Sequence, residues 1–283
     1  MNIYHKKSSL NPIIENFKSQ NFTIGLVPTM GALHKGHLSL IKEALKENDK
    51  VFVSVFVNPT QFDNKDDLDK YPRTLEIDIE MLNSVCKDHI IIYAPNADDV
   101  YGNNVNATDF NFDGLEDAME GKYRIGHFNG VGTVVKRLFE IVKPDVAYFG
   151  EKDFQQLMII KKLVEKYKLP VQVKGCGIYR EKDGLAMSSR NMRLKPEYRK
   201  AAPFIHKTLQ KAKMLFETKS AKKVEQWVEK QFAKHKLLKL EYFAIAETST
   251  LKSFKRKSKK KSYRAFIAVY AEDIRLIDNI ALN

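Results

Sequence analysis

Cysteine is scarce in this chain: Cys86 and Cys176 are the only two in 283 residues. Two thiols cannot build a disulfide framework, so both are expected as reduced core residues of a cytoplasmic protein. Long apolar runs are missing as well. Nothing approaches the roughly 20 consecutive apolar residues that cross a bilayer, and the opening MNIYHKKSSLNPII carries no apolar core of a secretory signal. Both absences argue against export and against a membrane partner. There is no internal repeat, and low complexity is confined to a lysine-rich run at 255–261. Zinc-finger spacing, an RNP-type aromatic motif and a basic zipper are absent too, which removes the usual marks of a nucleic-acid reader.

Acidic residues are the minority charge: 35 Asp and Glu stand against 48 Lys and Arg, for a formal net charge of +13. That balance suits a nucleic acid, an anionic membrane or anionic small substrates. The densest cluster, Lys255-Arg256-Lys257-Ser258-Lys259-Lys260-Lys261, lies between two strand-like segments and reads as a solvated hairpin loop. Further lysines between Lys207 and Lys236 decorate helix faces. A generic basic surface is the expectation, rather than a dedicated nucleic-acid site. Hydrophobic content of 43% and charged content of 29% are ordinary for a globular protein, long enough for one large or two modest domains.

Residues 23–46, TIGLVPTMGALHKGHLSLIKEALK, organise the rest. Thr23-Ile24-Gly25-Leu26-Val27 runs into Pro28 and Gly31, which reads as a strand ending in a tight turn. His34-Lys35-Gly36-His37 follows. Leu38, Ile41 and Leu45 then recur at helical spacing, so a helix is expected from near Gly36. Two imidazoles thus sit where a strand hands over to the first turn of a helix. Free backbone N–H groups and the positive end of the helix dipole make such a place a phosphate site. Gly36 leaves room for a ligand to approach the backbone. The chemistry suggested is attack at a phosphorus atom of a nucleotide. Two surface histidines at a helix start would also explain a bare H-x-x-H. A zinc pair fits less well, because H-E-x-x-H sites space their ligands at i and i+4 with a glutamate between.

Elsewhere apolar runs alternate with amphipathic patterns. A short strand and a helix over 12–18 come first. Val51-Phe52-Val53-Ser54-Val55-Phe56-Val57, Ile90-Ile91-Ile92-Tyr93-Ala94-Pro95, Val146-Ala147-Tyr148-Phe149 and Val171-Gln172-Val173 read as buried strands. Residues 63–70 read as a charged loop, and 96–112 as a loop with an edge strand. Thr74 is placed to cap a helix with Leu75, Ile79, Leu82 and Val85 on one face. Asn58 and Gln61 lie at the carboxyl end of a buried strand, where α/β sheets bind ligands; turn formation is the plainer explanation of both. Arg124 and His127, among glycines before a helix, are placed either to meet an anion or to form a solvated loop. Gly150-Glu151-Lys152-Asp153 repeats the strand–turn–helix logic, with Lys152 a point charge for phosphate and Asp153 an acceptor for a ribose hydroxyl. Ser188, Ser189 and Arg190 make a phosphate clamp, although such triplets occur in many loops.

Residues 1–178 therefore read as an α/β domain, a Rossmann-like doubly wound parallel sheet with right-handed crossovers. From 179 to 283 two helical stretches (196–217, 221–236) precede three strand-like runs (240–246, 264–271, 275–282), which reads as a smaller α+β domain.

Five segments taken together are specific. They are Pro28-Thr29-Met30-Gly31-Ala32-Leu33-His34-Lys35-Gly36-His37-Leu38, Val57-Asn58-Pro59-Thr60-Gln61-Phe62, Gly126-His127-Phe128, Gly150-Glu151-Lys152-Asp153-Phe154-Gln155-Gln156 and Asp183-Gly184-Leu185-Ala186-Met187-Ser188-Ser189-Arg190-Asn191. In order and spacing, over nearly the whole chain, they closely resemble the pantoate–β-alanine ligase family. His34 to His37 resembles the nucleotide signature shared with nucleotidylyltransferases and class I aminoacyl-tRNA synthetases. Met187 to Arg190 resembles their second, mobile phosphate-binding motif. The resemblance implies an ATP-dependent condensation of (R)-pantoate with β-alanine through pantoyl adenylate, releasing pyrophosphate and AMP. It implies ATP contacts from Met30, Gly31, Ala32, Leu33, His34, Lys35, Gly36 and His37, from Gly150, Glu151, Lys152 and Asp153, from Tyr179, and from Met187, Ser188, Ser189 and Arg190. It places pantoate on Gln61 and Gln156 and β-alanine on Gln61; Asn58 and Arg124, from their places at a strand end and before a helix, are further substrate candidates. His37 becomes the proton donor. His34, Lys152, Ser188, Ser189 and Arg190, with Mg²⁺ and no protein metal site, supply the remaining donors and charges. A homodimer belongs to the same implication; a reactive acyl adenylate must also be kept from water, which calls for a closing lid, expected in the serine loop at the domain boundary and the C-terminal domain. Thr60 and Ile125 depart from the family pattern, where methionine and proline are common.

Two other readings remain. One is a nucleotidylyltransferase of another small acid or phosphate with no amine acceptor, which the histidine pair alone fits equally well. The other is a non-catalytic nucleic-acid binder resting on the charge. The paired glutamines and the serine loop favour the ligase.

Overall fold

The β-branched runs form a six-stranded sheet in which every pairing is parallel. The computed structural model describes residues 1–62 and 65–283. Two units are distinguished: residues 1–151 with 155–177, and residues 152–154 with 178–283.

The first unit contains β1 (Asn2–Tyr4), α1 (Lys7–Ser19), β2 (Ile24–Thr29), α2 (Lys35–Glu47), β3 (Lys50–Val55), α3 (Lys65–Asp69), α4 (Leu75–Asn83) and β4 (Ile90–Tyr93). It continues with α5 (Ala97–Tyr101), α6 (Met119–Tyr123), α7 (His127–Val142), β5 (Val146–Gly150), α8 (Phe154–Tyr167) and β6 (Gln172–Cys176), although Phe154 itself groups with the second unit. Parallel neighbours cannot be joined by hairpins, so each pair needs a crossover, and the helices supply it. The strand order is β1-β4-β3-β2-β5-β6. The chain therefore moves outward from β2 through β3 to β4 and then returns to the other side of β2 at β5. That reversal puts a topological switch point at the carboxyl ends of β2 and β5, where open α/β sheets bind ligands. Leu26, Val27, Val51, Phe52, Val53, Ile92 and Tyr148 have no exposed surface, which is why these strands read as unbroken apolar runs. Leu40, Ile41 and Ala44 of α2 pack into the same core as Val27, Val51 and Tyr148. Burying one such leucine contributes about 1.5–3 kcal/mol.

The second unit is an antiparallel meander of β7 (Leu238–Glu247), β8 (Tyr263–Ala271) and β9 (Ile274–Ala281). It also carries α9 (Pro196–Ala201), α10 (Phe204–Thr218) and α11 (Ala221–Phe232). Leu209, Phe216, Val224 and Val228 from these helices share one buried cluster with Ile245, Ile267 and Leu276 from the strands.

Several local expectations change. The first helix begins at Lys7, not at 12, and carries Pro12 internally; Leu10 and Ile14, both buried, anchor it on either side of the missing donor. Lys65–Asp69 is a short helix rather than a loop, while residues 63 and 64 of that expected loop lie outside the described residues. Within 96–112 there is α5, capped by Asn96, whose Oδ1 accepts the Asp99 N–H at 2.9 Å, and no edge strand. Thr74 precedes α4 without a side-chain cap bond. The stretch 196–217 breaks at Ala202-Pro203 into α9 and α10. The lysine-rich loop between β7 and β8 is not wholly solvated. Lys257 Nζ donates to the Phe216 and Glu217 carbonyls at the end of α10, where a cation also meets the negative end of the helix dipole. Both cysteines are free, Cys86 half-buried and Cys176 buried, and burial pushes the Cys176 thiol up. Among the described residues no helix is long and apolar enough to cross a membrane.

Candidate active site

The loop leaving β2 turns through two left-handed residues, Gly31 (φ +77°) and Ala32 (φ +48°). A Cβ on Gly31 would come within 3.0 Å of both Asp78 Oδ2 and Val55 Cγ1, so only glycine suits that turn. Asp78 reaches in from α4. Its carboxylate is 1% exposed and accepts the Ala32 N–H at 3.0 Å, the Leu33 N–H at 2.7 Å and the Thr74 hydroxyl at 3.4 Å. Burial pushes this carboxyl above the usual carboxylate range, against the lowering effect of those three bonds.

His34 is the N-cap of α2. Its Nδ1 accepts the Gly36 N–H at 3.1 Å, and His37 Nδ1 accepts the His34 N–H at 3.3 Å. This is a reciprocal capping box in which both side chains are imidazoles. The two rings stack with centroids 4.0 Å apart and planes 21° apart. Since each Nδ1 is an acceptor, the proton of each neutral ring sits on Nε2. The amides of Ala32, Leu33, His34 and Gly36 are already bonded within the protein. The expected cradle of free backbone N–H groups is therefore narrowed by these four bonds.

The turn after β3 is a 3₁₀ segment, Pro59–Gln61, capped by Asn58. Asn58 is 1% exposed. Its Oδ1 accepts from the Thr60 N–H and hydroxyl and from the Tyr101 hydroxyl, and its Nδ2 donates to Gln61 Oε1 (3.1 Å) and the Gly130 carbonyl (3.3 Å). That geometry makes Asn58 a support for Gln61. Gln61 Nε2 in turn contacts Met30 Sδ at 2.9 Å, joining this turn to the first loop. Gly130 of α7 permits the approach: a Cβ there would lie 2.0 Å from the Thr60 carbonyl oxygen. His127 is buried and donates from Nδ1 to the Gln61 carbonyl at 2.7 Å, so its Nε2 takes the Arg124 Nη1–H at 3.2 Å. Its proton sits on the opposite nitrogen from those of His34 and His37. Gln155 and Gln156 divide similarly. Gln155 is 3% exposed and bonded to the Leu115 and Ala118 carbonyls and the Glu120 N–H, while Gln156 is half-buried. Gly150 ends β5 and Glu151 opens the next 3₁₀ turn.

In the second unit, Lys152 Nζ lies 3.7 Å from Asp153 Oδ2, and the Lys152 carbonyl accepts from Asn279 Nδ2 at 2.9 Å. Asn279 is 1% exposed; its Oδ1 accepts from Arg264, whose guanidinium stacks 3.9 Å over the Phe154 ring. Tyr179 is exposed, and its carbonyl accepts the Met187 N–H at 3.0 Å. An Arg180–Ala186 bridge closes a small hairpin there. Arg180 fastens it to β9 through two bonds to Asp278, at 2.7 and 3.0 Å. Ser188 Oγ then accepts the Arg190 N–H at 3.3 Å, capping the 3₁₀ segment Ser189–Arg193.

Asp78, Gln155, Arg264 and Asn279 were not singled out from the sequence. Asp78 did leave a sign: it falls on the helix face of Leu75, Ile79 and Leu82, where a carboxylate is out of place.

The family model of pantoate–β-alanine ligases matches residues 2–281. The pantothenate synthetase of Christiangramia forsetii is 57% identical over 283 residues, covering 100% of both chains. That of Flavobacterium psychrophilum is 55% identical over 282 residues, again across 100% of both. Among solved structures, pantothenate synthetase from Thermus thermophilus superposes with a TM-score of 0.90 at 36% identity, over 100% of this chain and 99% of that one. The pantoate–β-alanine ligase of Francisella tularensis, complexed with beta-gamma ATP and β-alanine, gives 0.81 at 34% identity over 100% and 98%. With a parallel sheet, a histidine-capped helix at its switch point and relatives matched end to end, the chain belongs to the pantoate–β-alanine ligase family and is an enzyme that joins those two substrates.

Proposed function

We propose that the reaction runs through pantoyl adenylate, on ATP held by the histidine-capped start of α2. The pantoate carboxylate attacks the α-phosphorus, the α–β bridging bond breaks, and pyrophosphate leaves. The β-alanine amine then attacks the acyl carbon, the bond to the phosphate oxygen breaks, and AMP leaves with pantothenate formed. Negative charge builds on the phosphates in the first step, so catalysis rests on placed donors and cations. His34 and His37 serve as Nε2–H donors; for His37 to give a proton to the departing phosphate it must first be protonated at Nδ1, which releases the His34 N–H it now accepts. Lys152, Ser188, Ser189 and Arg190 of the second unit supply the rest, with that unit acting as the lid that keeps water from the acyl adenylate. Gln61 and Gln156 take pantoate and Gln61 takes β-alanine; Asn58 supports Gln61, and Arg124 borders the same turn. The observation that carries this reading is the imidazole capping box, which aligns two like tautomers at the switch point.

Among the described residues no three His, Cys, Asp or Glu side chains group to hold a metal. Mg²⁺ would be carried by the nucleotide phosphates, and no step above is routed through it. A cytoplasmic homodimer belongs to the same reading, supported by the family resemblance and the two free thiols. The +13 charge is read as a surface that attracts anionic substrates, without a nucleic-acid partner.

The test is an AMP-release assay with each substrate omitted in turn. AMP should require ATP, pantoate and β-alanine together, while pyrophosphate should appear in a single turnover without β-alanine. A nucleotide-linked product that accumulates over many turnovers without β-alanine would replace this reading with that of a nucleotidylyltransferase.

A further inference from the structure

A left-handed turn whose successive N–H groups point one way forms a nest, and nests at the start of α/β crossovers commonly hold phosphate. Residues 31–33 make such a turn, with φ of +77° at Gly31 and +48° at Ala32. Their nest is already filled. Asp78, 1% exposed, puts one carboxylate oxygen 3.0 Å from the Ala32 nitrogen and the other 2.7 Å from the Leu33 nitrogen. Alanine keeps a left-handed conformation only when its surroundings hold it there, and these two bonds do so. The next residue is His34, the cap of α2.

We propose that Asp78 is a positioning residue for the ATP reaction. It occupies the nest as an internal acceptor, so the nucleotide phosphates are excluded from the amides of residues 32 and 33 and directed to the imidazoles of His34 and His37. It also sets the exit angle of the loop and hence the place of both rings. This rests on the reading of those histidines as phosphate donors. Asp78 touches no reacting atom and acts through the loop.

Asp78→Asn keeps the shape and one acceptor but turns an N–H₂ group against one of the two amides. Its kcat/KM for ATP should fall by about 10²-fold, the scale of an ångström's misplacement. The β-alanine half-reaction, started from preformed pantoyl adenylate, should be unchanged, and the Ala32 and Leu33 amides should exchange with solvent faster than in the wild type. A folded variant with ATP kinetics within about threefold of wild type would overturn the proposal, as would equal slowing of both half-reactions. If the variant does not fold, amide exchange in the wild type decides. Ala32 and Leu33 amides as slow as those of β2 support the proposal, and amides as fast as an exposed loop's refute it. That arm needs no turnover, so its failure is distinct from a failure of the proposed reaction.

Discussion

The loop after β2 and the segment after β5 are braced in opposite ways. In the first, two backbone N–H groups face inward and a buried carboxylate, Asp78, accepts both. In the second, the part-buried Lys152 carbonyl accepts from a buried amide, Asn279, itself locked by Arg264 over Phe154. Each brace has the polarity of the backbone group it must satisfy, because an orphaned buried amide or carbonyl costs as much as a lost hydrogen bond. The braces also differ in origin: Asp78 belongs to the first unit, whereas Lys152–Phe154 group with the second. A loop carrying candidate phosphate donors can thus be held by a residue from a different element, and the bare backbone group dictates its chemistry.

The contrast can be broken at its ligand ends first. His37→Ala should lower turnover by about 10²–10⁴-fold with the fold intact, as expected for a lost proton donor; steady-state AMP release alongside circular dichroism checks it, and a loss under threefold would remove His37 from that role. Lys152→Ala should follow at about 10²–10³-fold, the worth of one charge-stabilising contact, read as pyrophosphate release in the first step. Asn279→Ala tests the second brace. It should cost about 1–3 kcal/mol of stability by leaving a part-buried carbonyl and Arg264 one hydrogen bond short. It should also lower kcat/KM for ATP by about tenfold, less than a full ångström's displacement would. Urea titration and ATP kinetics on one preparation separate the two effects. If stability falls and ATP kinetics do not, the second brace is structural only, unlike the first. The smallest effect sharpens the contrast with the turn after β3: Gln61→Ala should raise KM for pantoate about three- to tenfold, one hydrogen bond's worth, and leave KM for ATP alone.

Much of the architecture was legible in the sequence. Strands buried on both faces must be apolar throughout, so β3, β4 and β5 announced themselves within a residue or two. Helix starts and turns are local events, and Pro28, Gly31 and the H-K-G-H run marked one. The misjudged places were those where tertiary burial outweighed local punctuation: Pro12 inside α1, the short α3 and α5, and Lys257 at the end of α10. Asn58 looked like a substrate contact because it ends a strand, yet its amide is committed to Thr60, Tyr101, Gln61 and Gly130.

Order along the chain alone determined which segments form strands buried on both faces, where two imidazoles meet a helix start, and which family the chain resembles. These depend on residues within a turn or two of one another. Only the tertiary structure decided which backbone amides remain for a ligand and which polar side chains stand behind the loops. Asp78 and Asn279 act across 46 and 127 residues of chain, and no local pattern encodes a hydrogen bond that exists only once distant strands and helices have packed.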